Sequence, residues 1–261
     1  MALNDSIAAA VKKKTQLLET SPSRFAVRAI LAGAYLTLGT AFAGVVGNAV
    51  GKHVPGLGAP VFALLFGIGL FAIVSLGAEL ATSNMMYMVY GVVQRRVGWG
   101  KGLWLLAVST VFNLVGAALV ALALGYSAKM GHMDPSHLLA TIVEGKLNKS
   151  AGGLLIEALL ANFVVNMAIV GALFAKDLGS KFLVIVPIIA IFVGLSLEHV
   201  VANFCLMLLV LFASDPLPAA MTLGAVAENW VMVWLGNLIG GGVLMGGVYA
   251  WLNQGPGEYR D

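Results

Sequence analysis

The chain has 261 residues, of which 60% are hydrophobic and 10% charged, with a mean hydropathy of +0.94. A soluble globular domain carries about 25% charged residues, so this composition excludes one and indicates an integral membrane protein. The net charge of +3 and the pI near 9.0 give no case for a nucleic-acid partner, because the basic residues sit in loops between apolar runs, as membrane topology requires.

In chain order, residues 1–23 read as a cytoplasmic amphipathic N-terminal helix. No signal peptide is expected, because Lys12, Lys13 and Lys14 lie inside this stretch instead of leading an apolar core. Asn4-Asp5-Ser6 is placed to cap the helix, and Ile7, Val11 and Leu18 fall at helical spacing, which suits a helix lying on a membrane surface. Ser21-Pro22-Ser23 ends it. Residues 24–253 form the transmembrane domain, and 254–261 a short cytoplasmic tail.

The domain reads as all-α, with six apolar spans of about 20 residues or more, at 24–50, 59–93, 102–128, 151–175, 181–213 and 229–252. The second and fifth are too long for one straight crossing and have polar centres, so both are expected to be broken helices. One set of loops and termini holds Lys12, Lys13, Lys14, Arg24, Arg95, Arg96, Lys101, Lys176, Lys181 and Arg260, whereas the other holds only Lys52, Lys129, Lys146 and Lys149. The excess marks the cytoplasmic side and puts both termini there, in the cell's inner membrane. Cys205 lies within a span and is the only cysteine, so no intrachain disulfide can form.

The fifth span carries Glu198 and His199 near its middle. A charge at that depth costs at least ~2.5–3.5 kcal/mol on insertion scales and normally faces protein or a water-filled path. Gly194-Leu-Ser before the pair weakens the helix, and interrupted helices at mid-membrane depth are where conduits build their sites. Adjacent helical residues face about 100° apart, so Glu198 and His199 cannot share one narrow lumen. Glu198 and Glu79 are therefore expected to structure the loops by accepting backbone N–H bonds.

The chain also repeats itself. Ala29-Ile-Leu-Ala-Gly33 is echoed by Ala158-Leu-Leu-Ala-Asn162, Glu79-Leu-Ala-Thr-Ser-Asn-Met85 by Glu198-His-Val-Val-Ala-Asn-Phe204, and Asn113-Leu-Val-Gly-Ala117 by Asn237-Leu-Ile-Gly-Gly241. Three spans per half is an odd number, so the halves must face opposite ways, an inverted repeat whose site lies where they meet. The 32 glycines suit close helix approach. Asn113 and Asn237 have two open readings, bonding across helices or lining a path.

These residues carry a resemblance. Glu198-His199-Val-Val-Ala-Asn203 resembles the Glu-His-Ser-x-Ala-Asn signature of the formate/nitrite transporter family. Gly77-Ala-Glu-Leu-Ala-Thr-Ser83 resembles its broken-helix loop, Leu235-Gly-Asn-Leu-Ile-Gly-Gly241 its last-helix motif and Leu160-Ala-Asn162 its fourth-helix motif. The resemblance implies an aquaporin-like inverted repeat of three plus three helices, assembled as a homopentamer in the lipid bilayer with one path per protomer and no cofactor or metal. It implies passage of a small monovalent anion, with protons exchanged at His199 as the one titratable group of the lumen. Thr82 would be its partner, Asn162 and Asn237 polar lining residues, Leu70 and Leu80 the cytoplasmic constriction, and Phe66 and Phe192 the periplasmic one.

Two positions depart from the family pattern. Ala81 stands where the loop usually has phenylalanine, and Glu157 where several members carry lysine; Glu157 is open to pairing with Lys149, to a protomer interface or to a different substrate preference. Hydrosulfide or a short monocarboxylate fits the same resemblance. An aquaporin-type neutral-solute channel is the rival, although no Asn-Pro-Ala occurs. A membrane-embedded enzyme has no nucleophile–base pair or metal cluster to support it, since His53, His132 and His137 fall in loops.

Overall fold

The computed structural model describes residues 3–254, and the expected C-terminal tail from residue 255 onward lies outside the described residues. Helix α1 (Leu3–Thr20) buries Leu3, Ile7, Val11 and Leu18. Its apolar stripe packs on the bundle, mainly against α2 (Pro22–His53) and α4 (Ala81–Val93), so protein takes up the face expected to lie on a membrane surface. The reason is physical: a stripe at helical spacing fits any apolar partner, and the bundle supplies one. Asn4 lies within α1 instead of capping it, and accepts a hydrogen bond from the Tyr90 hydroxyl at 2.6 Å. Pro22 opens α2, where its missing N–H costs nothing.

Among the described residues, five helical runs are long and apolar enough to cross a membrane: α2, α3 (Gly58–Ser75), α5 (Trp99–Gly125), α7 (Ala151–Phe174) and the run Leu223–Leu252. Two shorter apolar helices, α8 (Leu178–Gly194) and α9 (Val200–Ala213), follow α7. The chain leaves the helix between α3 and α4, and again between α8 and α9. Both gaps turn on a left-handed residue two positions before a glutamate, Gly77 at φ +69° and Ser196 at φ +55°. Glycine takes that conformation freely, whereas serine pays on the order of 1 kcal/mol for it.

The last run differs from the sequence expectation in two ways. It starts at Leu223, because the Thr222 hydroxyl caps it by accepting from the Ala225 N–H at 3.2 Å; polar Glu228 and Asn229 are therefore inside the helix. After α10 (Leu223–Asn237) it widens into a π-helix, Leu238–Gly247, before α11 (Val248–Leu252). A further helix, α6 (Leu138–Leu147), lies where a loop is expected from the sequence.

Packing follows the repeat. In the first half α2 packs on α3 and α5, and in the second α7 packs on α8 and α10. The short helices cross over: α4 packs on the π-helical segment of the second half, and α9 on α5 of the first. The crossings are backbone-close. A Cβ on Gly116 would collide with the Ile30 carbonyl, and one on Gly240 with the Leu159 carbonyl, three residues after Asn113 and Asn237 respectively. Gly116→Leu and Gly240→Leu should therefore each cost on the order of 3 kcal/mol or more, read as a lowered thermal midpoint and loss of monodisperse protein in detergent. Gly145→Leu, with nothing within 4 Å of the added Cβ, should leave both unchanged.

Candidate transport site

Two asparagines secure the two interruptions. Asn113 Nδ2 donates to the carbonyls of Ala29 (2.8 Å) and Glu79 (2.9 Å), and its Oδ1 accepts from the Ala81 N–H at 2.8 Å. Asn237 Nδ2 donates to Ala158 (2.7 Å) and Glu198 (3.0 Å), and its Oδ1 accepts from the Val200 N–H at 2.8 Å. Both side chains are fully buried. The polar atoms of Asn237 are thus committed to backbone, a pin between helix and loop of the same form as Asn113.

These loops deliver the central pair. His199 is the N-cap of α9; its Nδ1 accepts from the Ala202 N–H at 3.1 Å and its Nε2 lies 2.8 Å from Thr82 Oγ1. With Nδ1 accepting, Nε2 holds the ring proton and donates to the threonine, which keeps its own hydroxyl hydrogen for another acceptor. Asn162 Nδ2 donates to the carbonyls of Thr82 (3.1 Å) and Asn237 (2.8 Å), tying the pair to the second pin. His199 and Thr82 are both buried.

A cavity lies toward each end of α2, with the pair between. At the α6 end a cavity of about 620 Å³ is lined by Phe66, Phe192, Lys146 and Lys149 among others. Phe66 and Phe192 meet edge to face at 5.7 Å, and Phe192 stands 5.8 Å from the His199 ring. At the α1 end a cavity of about 250 Å³ is lined by Lys14, Arg28, Glu79, Leu80 and Tyr87 among others. Leu80, two residues before Thr82, walls this second cavity, whereas Leu70 is buried in the core and lines neither.

The glutamates take partners other than the backbone N–H groups expected. Glu79 Oε2 accepts from Lys14 Nζ at 2.6 Å, and Lys14 also sits 5.0 Å above the Tyr87 ring. Glu198 Oε1 accepts from Lys146 (2.9 Å) and Lys149 (2.7 Å), and its Oε2 from Asn203 Nδ2 (2.6 Å). A fully buried carboxylate needs a counter-charge more than it needs neutral donors, and ammonium groups supply both. Burial pushes the Lys146 ammonium below its ordinary value against the pull of Glu198. Lys149 is opposed by burial too, but Glu198 and Glu157 outweigh it and raise the group above its ordinary value. Glu157 pairs with Lys149, one of its open readings. Ala81 is buried with its N–H bonded to Asn113.

Lys14, Lys146 and Asn203 were not singled out in the sequence. The lysines meet their glutamates across 65 and 52 residues, a separation that no local pattern reports; Asn203 stood inside the signature. If the pins carry the loops, Asn237→Ala leaves the Val200 N–H and the Glu198 carbonyl unpaired, at about 1–3 kcal/mol each, while the Ala158 carbonyl keeps its partner within α7. Its unfolding midpoint should fall steeply, and Asn113→Ala should match it to within about 1 kcal/mol. Asn237→Asp, which keeps the acceptor alone, should fall between Asn237→Ala and the unaltered protein.

Comparison with known proteins places the chain in a family. The family profile described as "Formate/nitrite transporter" matches residues 2–251. A formate channel of Bacillus thuringiensis, BtFdhC, is 33% identical over 252 residues, covering 93% of this chain and 90% of its own. A solved structure described as an FNT family ion channel superposes with a TM-score of 0.89 at 29% identity, over 95% of this chain and 98% of that one. A second, described as a pentameric formate channel with formate bound, gives 0.72 at 23% identity, over 92% and 98%. With its interrupted apolar helices, paired asparagine pins and a profile match along nearly its whole length, the chain belongs to the formate/nitrite transporter family of multi-pass membrane proteins.

Proposed function

We propose that the protein passes small monovalent anions of the formate/nitrite class across the cell's inner membrane and exchanges a proton with them at His199. The observation that carries this is the His199–Thr82 contact of 2.8 Å, buried between a cavity at each end of the molecule. The path runs from the α6-end cavity past a constriction at Phe66 and Phe192, through the pair, and past Leu80 and Leu70 to the α1-end cavity.

An anion at the centre would meet two donors, the Nε2–H of His199 and the hydroxyl of Thr82. A second proton on the ring must enter at Nδ1 and displace the Ala202 N–H bonded there. That loss is offset when an anion lies beside the ring, so protonation and anion occupancy favour each other. The apolar sleeve makes a bare anion costly to desolvate, and transfer of the proton to it yields a neutral acid that crosses more cheaply. Asn162, Asn237, Glu79 and Glu198 hold this arrangement in place.

The proposal includes six crossings, with α3–α4 as the interrupted second and α8–α9 as the interrupted fifth, and both termini in the cytoplasm. The distribution of Lys and Arg supports that orientation. It also includes a homopentamer with one path per protomer, supported by the fold shared with a channel described as pentameric and by exposed apolar side chains such as Trp104, Val111 and Leu119 along α5. No catalytic step and no cofactor enters.

Reconstituted in proteoliposomes, the protein should take up formate, nitrite or hydrosulfide faster as the external pH falls, and the ranking names the preferred anion. His199→Asn should flatten the pH dependence and leave the oligomer intact by size-exclusion chromatography. A pH dependence unchanged in that variant overturns proton exchange at His199, and rapid water permeation without anion uptake overturns the anion path.

A further inference from the structure

The two loops are fastened at the same point by different means. In the first half the Arg28 guanidinium donates to the carbonyl of Gly77, the left-handed residue, at 2.6 Å. The repeat that matches Ala29 with Ala158 puts Glu157 where Arg28 stands, and Ser196 where Gly77 stands. A carboxylate cannot donate to a carbonyl. Instead Glu157 pairs with Lys149, and Lys149 Nζ donates to the Ser196 carbonyl at 2.8 Å.

We propose that Glu157 is a positioning residue that holds Lys149 in the place of the missing basic arm, so that an acid–lysine pair fastens the second loop and neutralises that mouth of the path. The second part rests on the anion path proposed above. The donor count supports the first. An ammonium has three N–H groups, and those of Lys149 are met by Glu157, the Ser196 carbonyl and Glu198. Lys146 meets two acceptors among the described residues, the Leu197 carbonyl at 3.1 Å and Glu198 at 2.9 Å. It therefore keeps one N–H beyond them, and it lines the cavity. Lys149 is occupied with the loop, and Lys146 has the remaining donor for an arriving anion.

Charge supports the second part. Lys146 and Lys149 stand against Glu157 and Glu198, so the four groups sum to zero. Glu157 therefore does two separable things. It fixes Lys149 on the loop, and it cancels a positive charge that would draw anions into the mouth. Removing its charge should loosen the loop while strengthening anion attraction, a combination that a merely structural residue would not give.

The test compares Glu157→Gln, Lys149→Ala and the double variant Lys149→Ala with Glu157→Arg, which transplants the first half's direct arm. Amide exchange is followed by mass spectrometry over residues 195–201, with formate uptake measured in proteoliposomes. Lys149→Ala should exchange at least about tenfold faster, for the loss of its two charge-assisted hydrogen bonds to the loop, at Ser196 and Glu198. The double variant should return to within about twofold of the unaltered protein. Glu157→Gln should lower the half-saturating formate concentration about threefold, the effect of one screened charge, while its maximal rate falls. A double variant no better protected than Lys149→Ala overturns the fastening role, and an unchanged half-saturation in Glu157→Gln overturns the charge role. Exchange does not depend on substrate, so an unaltered protein that takes up neither formate, nitrite nor hydrosulfide refutes the anion path and leaves the fastening result standing.

Discussion

A backbone that leaves the helical ladder inside a bilayer has no water to turn to, and every amide it frees must be met by protein. With the six crossings proposed above, this chain does so twice. Each interruption is met by one asparagine whose amide bonds two carbonyls and whose oxygen takes one N–H, drawing a helix end and a loop together at a single side chain. The close crossings of α2 with α5 and of α7 with the run Leu223–Leu252 let those short side chains reach, and a glycine stands three residues after each asparagine, where the backbones meet. With the loops held, the first turns of α4 and α9 are fixed, and with them the atoms that meet at the centre.

The frame is symmetric, but its contents are not. The repeat pairs Leu80 with His199, both N-caps of the short helices that follow. It pairs Thr82 with Val201. One loop position therefore presents an apolar wall in the first half and an imidazole in the second, while the next helical turn presents a hydroxyl and then an isopropyl group. The polar pair is made from one member of each half. The glutamates diverge as well. Each receives an ammonium from the helix that precedes its own half, Lys14 of α1 or Lys146 of α6. Asn203 donates to Glu198, whereas the amide of its counterpart Asn84 is buried and has no hydrogen-bond partner among the described residues, Glu79 having turned to Lys14.

Much of this was legible in the sequence because it is local or periodic. Apolar runs of the right length marked the spans, and the echoes at Ala29, Glu79 and Asn113 fell on the residues that the repeat uses structurally. What was not legible depends on partners distant in the chain. Nothing around Lys146 distinguishes a loop lysine from the counter-charge of a glutamate 52 residues later. Asn237 had two readings because a polar residue on a glycine-rich face suits a pin and a pore lining equally, and only its three partners decide. The amphipathic stripe of α1 named the buried face without naming what buries it. The π-helical stretch after Asn237 departs from the period on which the sequence reading relied.

The pins have one further consequence, for how the protein is made. Asn113 finds all its partners among residues 29–81, and Asn237 finds its own among residues 158–200, so each interruption is satisfied within its own half. Synthesis is vectorial, and the first half can enter the membrane with its loop already closed while the second is still on the ribosome. Only the exchange of α4 and α9 between halves, and the meeting of Thr82 with His199, must wait for the end of the chain. The conduit is therefore completed in the last act of assembly, and a chain truncated before its final span holds a sealed loop and no passage.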